Sequence, residues 1–171
     1  MNIITTIQDD DFGLEFTATT PTQERKASRA IVLDENGNVA LLHATKKHFH
    51  KLPGGGVEAG ESIEEALKRE LAEEIGCMAK NIRELGIVEE FRNKFSLHQL
   101  SYCFIADISG EKGIPHLEPD EIADGFETVW LSLEDAINTI EGEALVEDYE
   151  GKFIQKRDLI LLKLVTQQIS L

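Results

Sequence analysis

The sequence predicts an α/β domain in which a mixed β-sheet lies between helices. Three observations carry that prediction. Several short segments alternate apolar and polar residues with the period of a half-buried strand. Asn36-Gly37 separates two of them as a hairpin turn. Residues 63–75 repeat apolar side chains at helical spacing behind a capping signal. The chain has 171 residues, 42% of them hydrophobic, which suits one compact core and argues against disorder. One domain is expected over 1–171, with an N-terminal β extension in 1–20 and a C-terminal helix in 150–171.

Taken in order, Phe12, Leu14, Phe16 and Ala18 alternate with polar residues, and residues 3–7 are expected to pair with that strand across the Asp9-Asp10-Asp11 turn. Residues 30–33 and 39–42 flank Asn36-Gly37 as the two arms of a hairpin. Residues 49–52 are short and extended, and Pro53 stops them. Ser62 followed by Glu65 is a capping box, after which Ile63, Ala66, Leu67, Leu71 and Ile75 form an apolar stripe. Gly76 ends that helix by accepting a left-handed conformation. Residues 85–92 and 97–108 read as two long strands joined near Asn93-Lys94. A loop over 109–125 follows, with Pro115 and Pro119, then a strand over 126–131. Ser132 with Asp135 caps a helix over 133–141, and 154–169 carries enough Leu and Ile for a buried terminal helix. No internal repeat, low-complexity segment or linker is visible.

Charge and composition narrow the function. A formal net charge of −15 disfavours a long nucleic-acid partner, which needs basic surface, but not a small nucleotide that arrives with its metal. No apolar run is long enough to span a membrane and no signal peptide is recognised, so a cytoplasmic protein is expected. Cys77 and Cys103 are too few for a disulfide framework.

The chemistry concentrates in 54–77. Gly54, Gly55 and Gly56 let backbone come close to a diphosphate, and the helix N-terminus that follows favours negative charge. At about 100° per residue, Glu70, Glu73 and Glu74 share an arc that overlaps the edge of the apolar stripe. Carboxylates there repel one another and lose hydration, and a divalent cation relieves both. Mg²⁺, or Mn²⁺ in its place, is the expected cofactor, held by Glu70, Glu73 and Glu74. Arg69, just off the arc, is placed to hold one carboxylate by a charge-assisted hydrogen bond. A solvated acidic helix is the plain alternative, and Glu58, Glu64 and Glu65 are read as such surface charges.

The segment reads Gly55-x(5)-Glu61-x(7)-Arg69-Glu70-Leu71-x-Glu73-Glu74-x-Gly76-Cys77. It resembles the Nudix box, G-x(5)-E-x(7)-R-E-U-x-E-E-x-G-U with U aliphatic, at every fixed position. Its one departure is Cys77 in the last aliphatic slot, where a buried cysteine serves as a small hydrophobe. The resemblance extends loosely over 28–140. It implies an α/β/α sandwich and a MutT-like pyrophosphohydrolase acting on a nucleoside diphosphate derivative, foremost a nucleoside triphosphate, oxidised or not. It further implies that a carboxylate of the box, or of a loop after the long strands, deprotonates the attacking water. Glu118 and Glu121 occupy that loop, and Glu121 lies closer to the returning strand. Glu73, Arg69 and Glu121 are therefore the expected catalytic residues.

A Nudix-like module that holds a nucleotide without cutting it is the alternative from another class; such a module is expected to lose a metal glutamate or gain a DNA-binding domain. Prenyl diphosphate isomerisation is a minor third reading. The proline expected near Arg92 for ADP-ribose and the tyrosine expected there for dinucleoside polyphosphates are missing. Among weaker candidates, Arg29, Lys47 and Lys51 could contact phosphate but are expected as surface charges. His48-Phe49-His50 reads as plain strand, and Phe91, Phe95 and Trp130 as core. A homodimer in which the N-terminal strands take part is expected, because an unpaired alternating strand invites association.

Overall fold

The computed structural model describes residues 1–15, 20–143 and 148–169. Its strands are β1 (Ile3–Gln8), β2 (Gln23–Leu33), β3 (Val39–Ala44), β4 (Phe49–Lys51), β5 (Met78–Arg92), β6 (Leu97–Ser109) and β7 (Phe126–Leu131). Its helices are α1 (Ile63–Ile75), α2 (Pro119–Asp124), α3 (Leu133–Glu141) and α4 (Tyr149–Ile169). The sheet runs β1-β5-β6-β2-β3-β4, with β7 on β3. It is mixed: β1/β5 and β2/β6 are parallel, whereas β5/β6, β3/β4 and β3/β7 are antiparallel.

The two-residue period of the strands sorts side chains onto two cores. Ala30, Val32, Ala40 and Leu42 pack against Leu67, Leu71 and Ile75 of α1. Ile31, Val39, Leu41 and Val88 face the other way, against Ala136 and Ile140 of α3 and Phe153, Leu161 and Leu162 of α4. Each fully buried Leu or Ile there contributes about 2 kcal/mol through removal of its surface from water. Helices on both faces make the expected sandwich.

The helix signals hold. Ser62 Oγ accepts the Glu65 N–H at 3.2 Å, Glu65 accepts the Ser62 N–H at 2.8 Å, and Gly76 closes α1 at φ 63°. Ser132 Oγ likewise accepts the Asp135 N–H at 3.1 Å at the start of α3.

Three expectations are corrected. Among the described residues, 3–7 do not pair with 12–15. β1 instead runs parallel to β5, with Thr6 opposite Glu89 and Gln8 opposite Phe91. Phe12 ends a 3₁₀ turn over Asp9–Phe12, tied down by Tyr149 to Asp9 and by Lys156 to Asp11 at 2.7 Å; Phe16 and Ala18 lie outside the described residues. β1 therefore has a partner in its own chain and is, among the described residues, the outermost strand of the sheet. The loop expected over 109–125 contains α2, with Pro119 in its first turn and Gly125 at its C-cap. β5 begins at Met78 rather than near 85, its ladder interrupted between Lys80 and Arg83 and between Glu84 and Gly86.

β2 and β3 meet at a single pair, Leu33 opposite Val39, and then diverge. Residues 53–57 take the vacated place beside β2. Ala30 N–H donates to Pro53 O at 3.1 Å, Ser28 N–H to Gly55 O at 2.9 Å, and Val57 N–H to Lys26 O at 2.9 Å.

The β2–β3 turn is held by Asp34, which accepts the N–H groups of Asn36 and Asn38 at 2.9 and 2.8 Å and the Lys112 ammonium at 2.7 Å. Burial by itself raises this carboxyl, but the bonds from Lys112, Asn38 and Asn36 outweigh it and bring it from 3.8 to about 2. A depressed pKa adds stability that is complete above the unfolded value and is lost as pH falls toward the folded one. Asp34→Asn should therefore be less stable than the parent at neutral pH. Urea denaturation should show that gap narrowing between about pH 4 and about pH 2. A gap that stays constant across that range contradicts the assignment.

Candidate active site

The loop after β4 depends on two glycines at close approaches, to backbone at Gly54 and to the end of the Glu70 side chain at Gly55. At Gly54, φ is 125° and a Cβ would lie 2.1 Å from the Ser28 carbonyl oxygen; at Gly55 a Cβ would lie 2.2 Å from Glu70 Oε1. The loop thus touches β2 on one side and α1 on the other. At Gly56 a Cβ meets only the flexible Arg25 guanidinium, at 3.3 Å.

Arg69 organises the acidic side. Its Nε and Nη2 donate to the two oxygens of Glu61 at 3.0 and 3.1 Å, and Nη2 also donates to Gly56 O at 3.0 Å. Nη1 donates to Glu70 Oε1 at 2.9 Å and to Glu73 Oε2 at 3.1 Å. The single carboxylate expected of Arg69 is three. Its bonds to Glu61 first, and to Glu70 and Glu73, raise the guanidinium pKa further.

Glu74 turns the other way. It is 1% exposed, and it accepts the Lys51 ammonium at 2.9 Å and the Gly54 N–H at 2.5 Å. Lys51 also lies over the Phe126 ring. The Gly54 contact completes a series along the strand. His50 N–H donates to Glu143 at 2.7 Å, Leu52 N–H to Asp158 at 2.8 Å, and Gly54 N–H to Glu74. Alternate N–H groups of one extended segment are thus taken up by carboxylates from α4, from α1 and from the segment after α3.

Glu121 of α2 caps its own helix by accepting the Glu118 N–H at 2.9 Å, and its carboxyl also lies against Glu74. Burial raises it; the Glu118 N–H opposes that, the Glu74 charge reinforces it, and the result is about 7. Burial and the Glu74 charge also raise Glu70, against the pull of Arg69.

All eight residues singled out from the sequence line one cavity of about 360 Å³: Gly54, Gly55, Gly56, Arg69, Glu70, Glu73, Glu74 and Glu121. Two residues read as surface charges are corrected. Lys51 is a half-buried partner of Glu74, and Arg29 is buried in the cavity wall. Lys47 is exposed beside Asp124 as expected. No histidine lines the cavity; His50 stacks on His43 and pairs with Glu143. Sequence reasoning gave no role to Glu61, although its fixed place in the box was the available signal, and it missed Asp158, for which the sequence holds none.

Among the described residues, no three His, Cys, Asp or Glu side chains form a ready metal-binding group. Each box glutamate has a protein cation instead: Arg69 for Glu70 and Glu73, Lys51 for Glu74. The donor set nevertheless suits a hard divalent cation. It is all carboxylate oxygen, and the Glu74–Glu121 contact brings together two acids that need a proton or a cation between them.

The glycines give a direct test. Gly54→Ala should cost more than about 2 kcal/mol, because the new methyl group meets backbone in a strained conformation. Gly56→Ala should cost far less, since only a side-chain end must move. Chemical denaturation compares them, and equal losses would mean that the loop shifts freely.

Residues 23–153 match the NUDIX domain family. A Bacillus subtilis protein provisionally named an 8-oxo-dGTP diphosphatase is 36% identical over 101 residues, covering 59% of this chain and 60% of that protein. A Methanocaldococcus jannaschii protein named ADP-ribose pyrophosphatase is 33% identical over 82 residues, covering 46% and 48%. The chain thus spans about half to three-fifths of the length of these relatives. The crystal structure of a MutT NUDIX hydrolase from Burkholderia pseudomallei superposes with a TM-score of 0.54 at 26% identity, covering 66% of this chain and 85% of that one. With a complete box on α1, and a match over most of its length, the chain belongs to the NUDIX domain family.

Proposed function

We propose that this protein is a Nudix hydrolase that cuts a nucleoside triphosphate, with or without an oxidised base, into nucleoside monophosphate and pyrophosphate. The observation that carries the reading is the meeting of Glu70, Glu73 and Glu74 from α1 with Glu121 from α2 around one glycine loop. The name of the Bacillus subtilis relative supports an oxidised purine substrate. No helix among the described residues is long and apolar enough to cross a membrane, and the two buried free cysteines suit a reducing, cytoplasmic setting.

In this reading Glu70, Glu73 and Glu74 hold Mg²⁺, or Mn²⁺ in its place. Bound there, the ion neutralises phosphate charge and lowers the pKa of a coordinated water. Arg69 fixes the carboxylates of Glu70 and Glu73 relative to Glu61 and the Gly56 carbonyl. The glycine loop lets the phosphate chain approach backbone closely. Glu121, which enters from a separate helix, takes the proton of the attacking water. The water oxygen bonds to phosphorus as one bridging P–O bond breaks, and the leaving phosphate keeps that electron pair. Two copies associate through the edge of β1, the outermost strand among the described residues; a monomer in sedimentation at micromolar concentration removes this part of the reading.

Glu73→Gln keeps the side chain's size and removes its charge. With Mg²⁺ and a panel of nucleotides, we expect its kcat to fall by about 10²-fold or more while thermal unfolding still reports a folded protein. Arg69→Lys keeps charge but loses the planar fork, so kcat should fall with little change in KM. Glu121→Gln should lose about 10²-fold in kcat, the usual contribution of a positioned base. Pyrophosphate release measures all three. Near-parental turnover of Glu73→Gln sinks the metal assignment, and near-parental turnover of Glu121→Gln sinks the base.

A further inference from the structure

On its β2 wall the cavity holds a guanidinium that makes no ion pair with an acid of the described residues. Arg29 lies on β2 beside Gly54, is 6% exposed, and lines the same cavity as Glu70 and Glu73. Its Nε and Nη1 are buried without a hydrogen-bond partner. The neighbouring acids are already engaged. Asp158 accepts from Arg157 and from the Leu52 N–H. Glu74 accepts from Lys51 and from the Gly54 N–H. Glu90 accepts from Arg92 and Gln99. Burial, helped by repulsion from Arg157 and opposed by the nearby charges of Glu74 and Asp158, pushes the Arg29 guanidinium down to about 10, so it stays charged at neutral pH.

A buried guanidinium with open donors is costly unless an anion completes it. The planar fork fits a phosphate group. The cavity therefore has two unlike walls. The glutamate wall takes phosphate only together with a cation, whereas the Arg29 wall, with Arg25 also lining the cavity, takes it directly. Arg29 and the glutamates line the same cavity from different elements, so a diphosphate held at the glutamates need not reach Arg29, whereas a third phosphate extends the chain toward it. We propose that Arg29 binds a phosphate group that the glutamate wall does not hold, and so selects substrates with three linked phosphates over those with two. This rests on the hydrolytic reading of the same cavity.

Two probes that resist cleavage between the first two phosphates test it: an α,β-methylene nucleoside triphosphate and the α,β-methylene diphosphate of the same nucleoside. Isothermal titration calorimetry with Mg²⁺ measures their binding to the parent, Arg29→Gln and Arg29→Lys proteins. Arg29→Gln should weaken the triphosphate by about tenfold or more, about 1.4 kcal/mol, and the diphosphate by less than about twofold. Arg29→Lys should fall between, keeping the charge without the fork, and it carries the same criterion if Arg29→Gln does not fold. Equal weakening of both probes means that Arg29 holds the shared diphosphate, and the selectivity claim falls. No weakening of either probe, or no binding of either by the parent protein, overturns the proposal outright. Binding is read without turnover, so a protein that binds as expected yet cuts no nucleotide would fault only the hydrolytic reading.

Discussion

Arg69 donates five hydrogen bonds, and the acidic half of the site depends on them. Glu70, Glu73 and Glu74 fall on one side of α1 because of helical geometry, and three carboxylates so placed repel one another. A planar guanidinium can face several acceptors at once, which an ammonium cannot do in fixed directions. Through Glu61 and the Gly56 carbonyl, the same group ties α1 to the loop before it. The helix and the glycine loop are therefore one unit, and neither can shift without breaking the Arg69 contacts.

A second set of contacts holds that unit in the sheet. The divergence of β2 from β3 leaves an extended segment whose alternate N–H groups find carboxylates rather than a neighbouring strand. Glu143, Asp158 and Glu74 come from three separate parts of the chain. Behind them, Arg157, Glu90, Arg92 and Gln99 form a buried polar layer under α4. Buried ion pairs of this kind give little net stability, because desolvation offsets their attraction. Their effect is positional: a strand end tied to two helices and to the segment after α3 has one register.

The helices and their ends were the most legible part of the sequence. Ser62, Glu65 and Gly76 act within one or two turns of their own positions, so their spacing suffices to place α1. Asn36-Gly37 acts in the same local way for the hairpin. The short helix α2 carried comparable signals in Pro119 and Gly125 and was nonetheless read as loop, because proline and glycine also mark loops. The parallel pairing of β1 with β5 had no local signal, since an alternating strand shows that it needs a partner but not which one.

The sequence by itself determined the chemistry of the site and the helix that carries it. The Nudix box specifies residue types at fixed spacing, and an α-helix converts spacing into direction. Only the tertiary structure decided what meets that helix. Glu121 reaches Glu74 because α2 folds back from beyond β6, and Lys51 leaves the surface because β4 ends beside α1. Arg29 is buried where the glycine loop lies against β2, its Nε and Nη1 without a partner among the described residues. Each of these depends on contacts between residues far apart in the chain. Such contacts follow from how whole surfaces pack, and no local period or cap encodes them.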